Sequence, residues 1–149
     1  TALITSKDIN TPLSIVRMGV TLGEGGGPFS LLQLPLGLYG GNIGTGKHHV
    51  PWIHVDDAVR VYEHILEKEI KGIVNAVAPT LTTNNDMSNA IAKRGKWTVP
   101  TPSVIMKAVM GESSILVTEG QKITPKRLQE TNFPFLYPTI ERAMENLVK

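Results

Sequence analysis

Trp52-Ile53-His54-Val55, followed at once by Asp56-Asp57, reads as a short strand running into a helix. In extended backbone Trp52 and His54 project to one face and Ile53 and Val55 to the other, so His54 lies opposite the two aliphatics. The two acids that follow suit the free N–H groups and positive end of a helix start, which predicts Asp56-Asp57 as its N-cap. The spacing of Val59, Tyr62, Ile65 and Leu66 predicts the apolar stripe of that helix, with Gly72 closing it. Residues 73–77 are again apolar and read as a strand. Strand, helix and strand in this order are the unit of a parallel α/β sheet.

Working upstream, residues 13–20 form a nearly continuous apolar run with Ile15, Val16 and Val20, which predicts a second parallel strand buried in a sheet and stopped by the glycines from Gly23 onward. Residues 29–38 suit a short helix broken at Pro35, and residues 40–47 a loop. Downstream of Thr80 the pattern turns mostly helical, at residues 85–93, 103–110 and 139–148. The last helix takes Thr139 as its cap and gathers Ile140, Ala143, Met144 and Leu147 on one face. The chain therefore divides into an α/β portion over residues 1–80 and a helical portion over 81–149. Parallel strands are covered on both faces in a finished sheet, and three short ones with one crossover helix cannot supply that cover. An upstream segment or a separate chain is expected to complete the sheet.

The 149 residues are 41% hydrophobic with a net charge of +2, enough for a folded domain and too little basic charge for a nucleic-acid footprint. The absence of cysteine excludes disulfides and Cys-based metal sites and leaves the compartment open, cytoplasmic or organellar. Prolines and glycines interrupt every long apolar stretch, so no membrane insertion is expected. Thr1 in place of Met, without a signal or transit pattern, suits a fragment.

Residues 41–48 approach the phosphate loop G-x-x-x-x-G-K-[ST] but end in His48, which has no hydroxyl for Mg²⁺, and a strand follows where a helix should. The glycines at 23, 25, 26 and 27 lack the G-x-G-x-x-G spacing and read as a turn leaving the sheet. His48, His49, His54 and His64 show no ligand spacing with carboxylates, so no metal is expected; His64 is read as a surface residue and His54 as structural. Arg17, the one charge within the first strand, is expected in a structural ion pair.

Taken in order, Arg17 to Gly23, the glycines at 25–27, Leu38 to Gly41, Gly44 to Gly46, Pro51 to Asp57, Val74 to Pro79 and Thr83-Asn84 resemble the extended short-chain dehydrogenase/reductase superfamily, and within it the atypical YfcH-like epimerase group. Val99-Pro100, Gly111-Glu112, Glu119 to Gln121, Pro125, Leu128 and Phe133 to Pro138 resemble that group's C-terminal domain. The resemblance implies the C-terminal part of a Rossmann-type sheet, NADP as cofactor, a small-molecule substrate held between the last strands and a substrate-side helical domain, and an oxidoreductase or isomerase activity in the complete protein.

It also implies that the phosphate loop and the catalytic Tyr-x-x-x-Lys pair lie upstream. Tyr39, Tyr62 and Tyr137 are followed four residues on by Ile43, Leu66 and Glu141, so no catalytic residue is assigned here. Many sugar-nucleotide epimerases carry a diphosphate-clamping arginine where this chain has Val50. The pocket wall is expected from Val20, Gly25, Gly26, Lys47 and Trp52, with Asn75 and Pro79. The alternative is a non-catalytic, epimerase-derived subunit of a larger assembly, organellar among other settings.

Overall fold

A computed structural model describes residues 13–26, 29, 39–43, 45–101 and 120–149. The predicted helix over residues 103–110, and all but Phe29 of the one over 29–38, lie outside these. The fold is α/β with parallel strands. Strand β1 (Ser14–Met18) pairs in parallel with β5 (Gly72–Ala76), Ile15 facing Ile73 and Arg17 facing Asn75. Strand β2 (Val20–Leu22) pairs in parallel with β4 (Trp52–His54), Val20 facing Trp52.

The apolar run at 13–20 is thus two strands, and Gly19 is where the chain changes partner. Its N–H donates to Ala76 O at 3.0 Å, and the next N–H, from Val20, donates to Pro51 O at 2.7 Å. A Cβ at Gly19 would lie 2.8 Å from Pro51 O and 2.9 Å from Val77 Cγ1, so the crossing needs glycine for space. The loop expected at 40–47 is in part strand β3 (Tyr39–Ile43), paired in parallel with β6 (Thr98–Thr101). A glycine-rich segment has little strand signal of its own, and its ladder partner lies far along the chain in a region expected to be helix and loop.

Helix α1 (Val55–Glu67) corrects three expectations. Its N-cap is His54, whose Nδ1 accepts from Asp56 N at 3.2 Å, so the acids occupy the first turn. Of the stripe predicted from large residues only Ile65 is buried; Val59, Tyr62 and Leu66 are exposed, and Ala58 and Val61 join Ile65 on the sheet side. Small residues allow the helix to lie close to the strands, which a reading by size overlooks. Lys68 caps the helix C-terminus and Glu69 takes the left-handed turn, with φ 49°, while Gly72 opens β5.

Helix α2 (Asn84–Lys93) starts from a reciprocal cap: Asp86 N donates to Thr83 Oγ1 and Thr83 N to Asp86 Oδ2. Helix α3 (Lys126–Glu130) is short, and α4 (Ile140–Leu147) has the Thr139 cap and the four buried residues that its spacing predicts.

Two apolar clusters form the core, one on each side of β4. Trp52 belongs to the first, with Leu22, Tyr39, Met87, Ile91 and Met144. Ile53 belongs to the second, with Val61, Ile65, Val74, Leu128 and Phe133. The alternation read from residues 52–55 sends Trp52 and Ile53 to these two sides, and the first cluster takes residues from before and after Thr80.

Candidate functional site

Beyond the carboxyl ends of β1 and β5 the chain turns at Gly19 and at Ala78, and open parallel sheets bind ligands in this position. A cavity of about 10 Å³, room for about one water molecule, is lined there by His49, Trp52, Ala78, Thr80, Thr82 and Gln121 among others. The Trp52 ring is almost wholly buried, and its Nε1 donates to Thr82 Oγ1 at 2.8 Å. Thr82 Oγ1 donates in turn to Thr80 O at 3.2 Å, and the Thr82 carbonyl accepts from Val50 N at 2.9 Å. The indole therefore forms a fixed wall whose polar atom is already satisfied.

Next to this wall stand two histidines with spare hydrogen-bonding capacity. His48 Nε2 and His49 Nδ1 are buried and have no hydrogen-bond partner among the described residues. Burial, then the neighbouring His49, push the His48 imidazole below its ordinary pKa, so it is neutral near pH 7. Gly120 packs against this dipeptide, where a Cβ would fall 2.6 Å from His49 N. Such a pair can give or accept hydrogen bonds.

A second polar cluster holds the start of α1. Asp57 is fully buried, and its two carboxylate oxygens accept from Leu136 N and Tyr137 N, each at 2.9 Å. Arg60 bonds the same carboxylate at 3.2 Å, donates to Pro134 O at 2.7 Å and lies over the Phe133 ring. Asp57 is thus a buried clamp that ties the start of α1 to residues 136 and 137 and, through Arg60, to Pro134. His54, stacked on Tyr137 at 3.7 Å between ring centroids and bonded through Nε2 to Asn146 Oδ1 at 3.2 Å, is structural as expected. Partial burial, then the Asp56 carboxylate, raise the Tyr137 hydroxyl above its ordinary pKa.

Two expectations fail here. His64 is buried, bonded to Thr131 Oγ1 at 2.9 Å and edge-on to Phe133. Arg17 is exposed and enters no salt bridge among the described residues.

Of the residues expected in a pocket wall, Trp52 lines the pocket, Val20 faces it across the β2–β4 ladder, and Pro79 joins the lining residues Ala78 and Thr80. Gly25 and Gly26 occupy an exposed turn, Gly25 with φ 77°, and Lys47 is exposed; none of the three lines this pocket. Asn75 sits within β5, where its Nδ2 donates to Thr124 O at 3.4 Å. Sequence reasoning missed Gly19 and the double acceptor role of Asp57. The first was visible only as one glycine inside an apolar run, and the second had no local signal, since its partners lie about eighty positions away. Among the described residues no group of His, Asp or Glu is placed to hold a metal ion, and no helix is long and apolar enough to cross a membrane.

Residues 101–147 match a family described as a domain of unknown function, DUF1731. The chain is 40% identical over 140 residues to the mouse epimerase family protein SDR39U1, covering 90% of this chain and 47% of that protein. It is 33% identical over 154 residues to the chloroplastic Arabidopsis thaliana homolog of SDR39U1, covering 100% of this chain and 44% of the homolog. A crystal structure of the human epimerase family protein SDR39U1 with NADPH superimposes with a TM-score of 0.83 at 36% identity, over 93% of this chain and 48% of that one. The chain thus spans less than half the length of these relatives, and the likeness supports an epimerase-family protein.

Proposed function

We propose that this chain is the C-terminal half of an NADP-dependent epimerase-family protein of the YfcH-like group, forming the substrate-side wall of a site whose phosphate loop and Tyr-Lys pair lie upstream. The observation that carries this reading is the likeness to human SDR39U1, solved with NADPH, of which this chain matches 48%. In this reading residues 1–80 are the end of the Rossmann-like domain and residues 81–149 the substrate-side domain. NADP supplies hydride chemistry to the complete protein, and this half positions the substrate.

Trp52 lines the described cavity, while Val20, Gly25, Gly26, Lys47, Asn75 and Pro79 are proposed to line the site once both halves are present. The lining of the described cavity has one histidine, His49, and two threonines but no arginine, where a diphosphate clamp would need an arginine fork. A substrate held by its diphosphate is therefore disfavoured in this reading.

The test is a titration with NADPH followed by tryptophan fluorescence, for which Trp52 is buried and Trp97 exposed. This chain alone is expected to give no saturable quenching, and the protein carrying both halves is expected to saturate. Saturable binding by this chain alone would overturn the division of labour.

A further inference from the structure

At the strand ends a cavity and an unpartnered polar atom coincide. The cavity, of about 10 Å³, has room for about one water molecule. Its polar lining comes from three segments: His49 from the approach to β4, Thr80 and Thr82 from the turn after β5, and Gln121 from the stretch that precedes α3. Val50, Trp52, Leu81 and Ile123 are among its apolar residues.

Two of the polar groups have hydrogen-bonding capacity to spare. His49 Nδ1 is buried and has no partner among the described residues. A hydroxyl carries one proton and two lone pairs. Thr82 Oγ1 gives its proton to Thr80 O and takes one from Trp52 Nε1, which leaves one lone pair. Leaving a buried ring nitrogen unbonded is unfavourable, and folded proteins satisfy such atoms with a protein group or an ordered water.

The stretch from Gly120 to Ile123 touches this place without a direct polar bond to it. Gly120 comes so near that a Cβ would lie 2.6 Å from His49 N and 2.8 Å from His48 Cβ. Among the described residues no backbone hydrogen bond joins residues 120–123 to residues 48–52, and Ile123 N donates within its own stretch, to Gln121 O at 3.1 Å. Close contact of two segments across a small polar cavity is the setting for a bridging water.

We infer that the cavity is a site for one structural water, which donates to Thr82 Oγ1, bonds His49 Nδ1 and reaches the Gln121 side. It fastens residues 120–123 to the end of the sheet and holds the hydroxyl that in turn holds the Trp52 ring. An organic ligand exceeds the volume, and among the described residues no group of His, Asp or Glu is placed to hold a metal ion. Because all of its residues belong to this chain, the site stands apart from the reading of the chain as a half.

The test is a crystal structure of the protein carrying both halves, with His49→Asn and His49→Leu beside the parent. Asparagine keeps a polar atom near the position of Nδ1, and leucine has none. The parent and His49→Asn are expected to show one ordered water within about 2.7–3.2 Å of side chain 49 and of Thr82 Oγ1, and His49→Leu to lose it. In solution the amides of residues 121–123 are expected to exchange at least about tenfold faster in His49→Leu than in the parent, with His49→Asn close to the parent. No water in the parent, or His49 Nδ1 bonded directly to a protein group, would overturn the inference. A water that stays in His49→Leu, or exchange unchanged there, would overturn it too. The parent density decides the matter should His49→Leu fail to fold.

Discussion

Strands β4 and β1 each lie in a parallel pair, β4 with β2 and β1 with β5, yet one is buried throughout and the other is not. All three residues of β4 are buried, with Trp52 in one core cluster and Ile53 in the other. In β1, Val16 packs into the second cluster, while Ile15 is half-buried and Arg17 and Met18 are exposed. Across the ladder Val74 is buried and Ile73 is 41% exposed, so β1 and β5 together have one sealed face and one open face. Parallel sheets are stable with both faces covered. The contrast marks β4 as interior among the described residues, and, under the proposed reading of the chain as a half, β1 as the border along which the rest of the sheet belongs.

The largest expected effect lies on the finished side. Trp52→Ala removes a fully buried ring together with its bond to Thr82 and is expected to cost about 3–5 kcal/mol in urea unfolding, whereas Met18→Ala in this chain alone should stay within about 0.5 kcal/mol. Similar losses for the two would erase the contrast. Next comes the clamp that closes the end of β4. Asp57→Ala leaves two backbone N–H groups and Arg60 without their acceptor and is expected to cost about 3 kcal/mol, with Asp57→Asn milder because it keeps one acceptor oxygen.

Ile73→Ala sharpens the comparison most directly. It is expected to cost less than about 1 kcal/mol in this chain alone and about 2 kcal/mol or more in the protein carrying both halves, where its face of the sheet would be covered. The smallest effect is a control far from the open edge: Thr83→Ala is expected to cost about 1 kcal/mol whether or not the upstream half is present.

That cap also carries a pH dependence. Hydrogen bonds from the Thr83 side chain and backbone hold the Asp86 carboxyl below its ordinary value of 3.8. The folded state therefore gains stability from Asp86 above that value and loses it as the pH falls through the lowered one. The difference between the parent and Thr83→Ala should shrink over that acid range in urea titrations at stepped pH.

Much of this arrangement was legible in the residues. Strong local signals carried through: the opposite sides taken by Trp52 and Ile53, the cap at Thr139, the face of α4, and the strand–helix–strand order that gives a parallel sheet; Val55, read as the end of the strand, is instead the first residue of α1 and exposed. Errors fell where a distant partner decides. Residues 39–43 are a strand because residues 98–101 lie beside them, His64 is buried because residues 131–133 cover it, and Asp57 is a clamp because residues 136–137 present their N–H groups to it. The stripe of α1 was misassigned for a related reason. A helix with two apolar sides gives a single apolar pattern in sequence, and the side of the larger residues is the one that this chain leaves open. At the cavity, Trp52 was expected because a strand end in an α/β sheet is a general position for ligands, while no local signal marked the His48 and His49 nitrogens that lack a partner among the described residues beside Gly120.

Amide hydrogen exchange compares the two strands in one experiment. In this chain alone the Trp52–His54 amides should exchange only through global unfolding, and the Ser14–Met18 amides at least about a hundredfold faster through local opening of the uncovered edge. Joining the upstream half should bring β1 to the protection of β4. Equal protection of β1 and β4 in this chain alone would contradict the view that the fold is unfinished at β1.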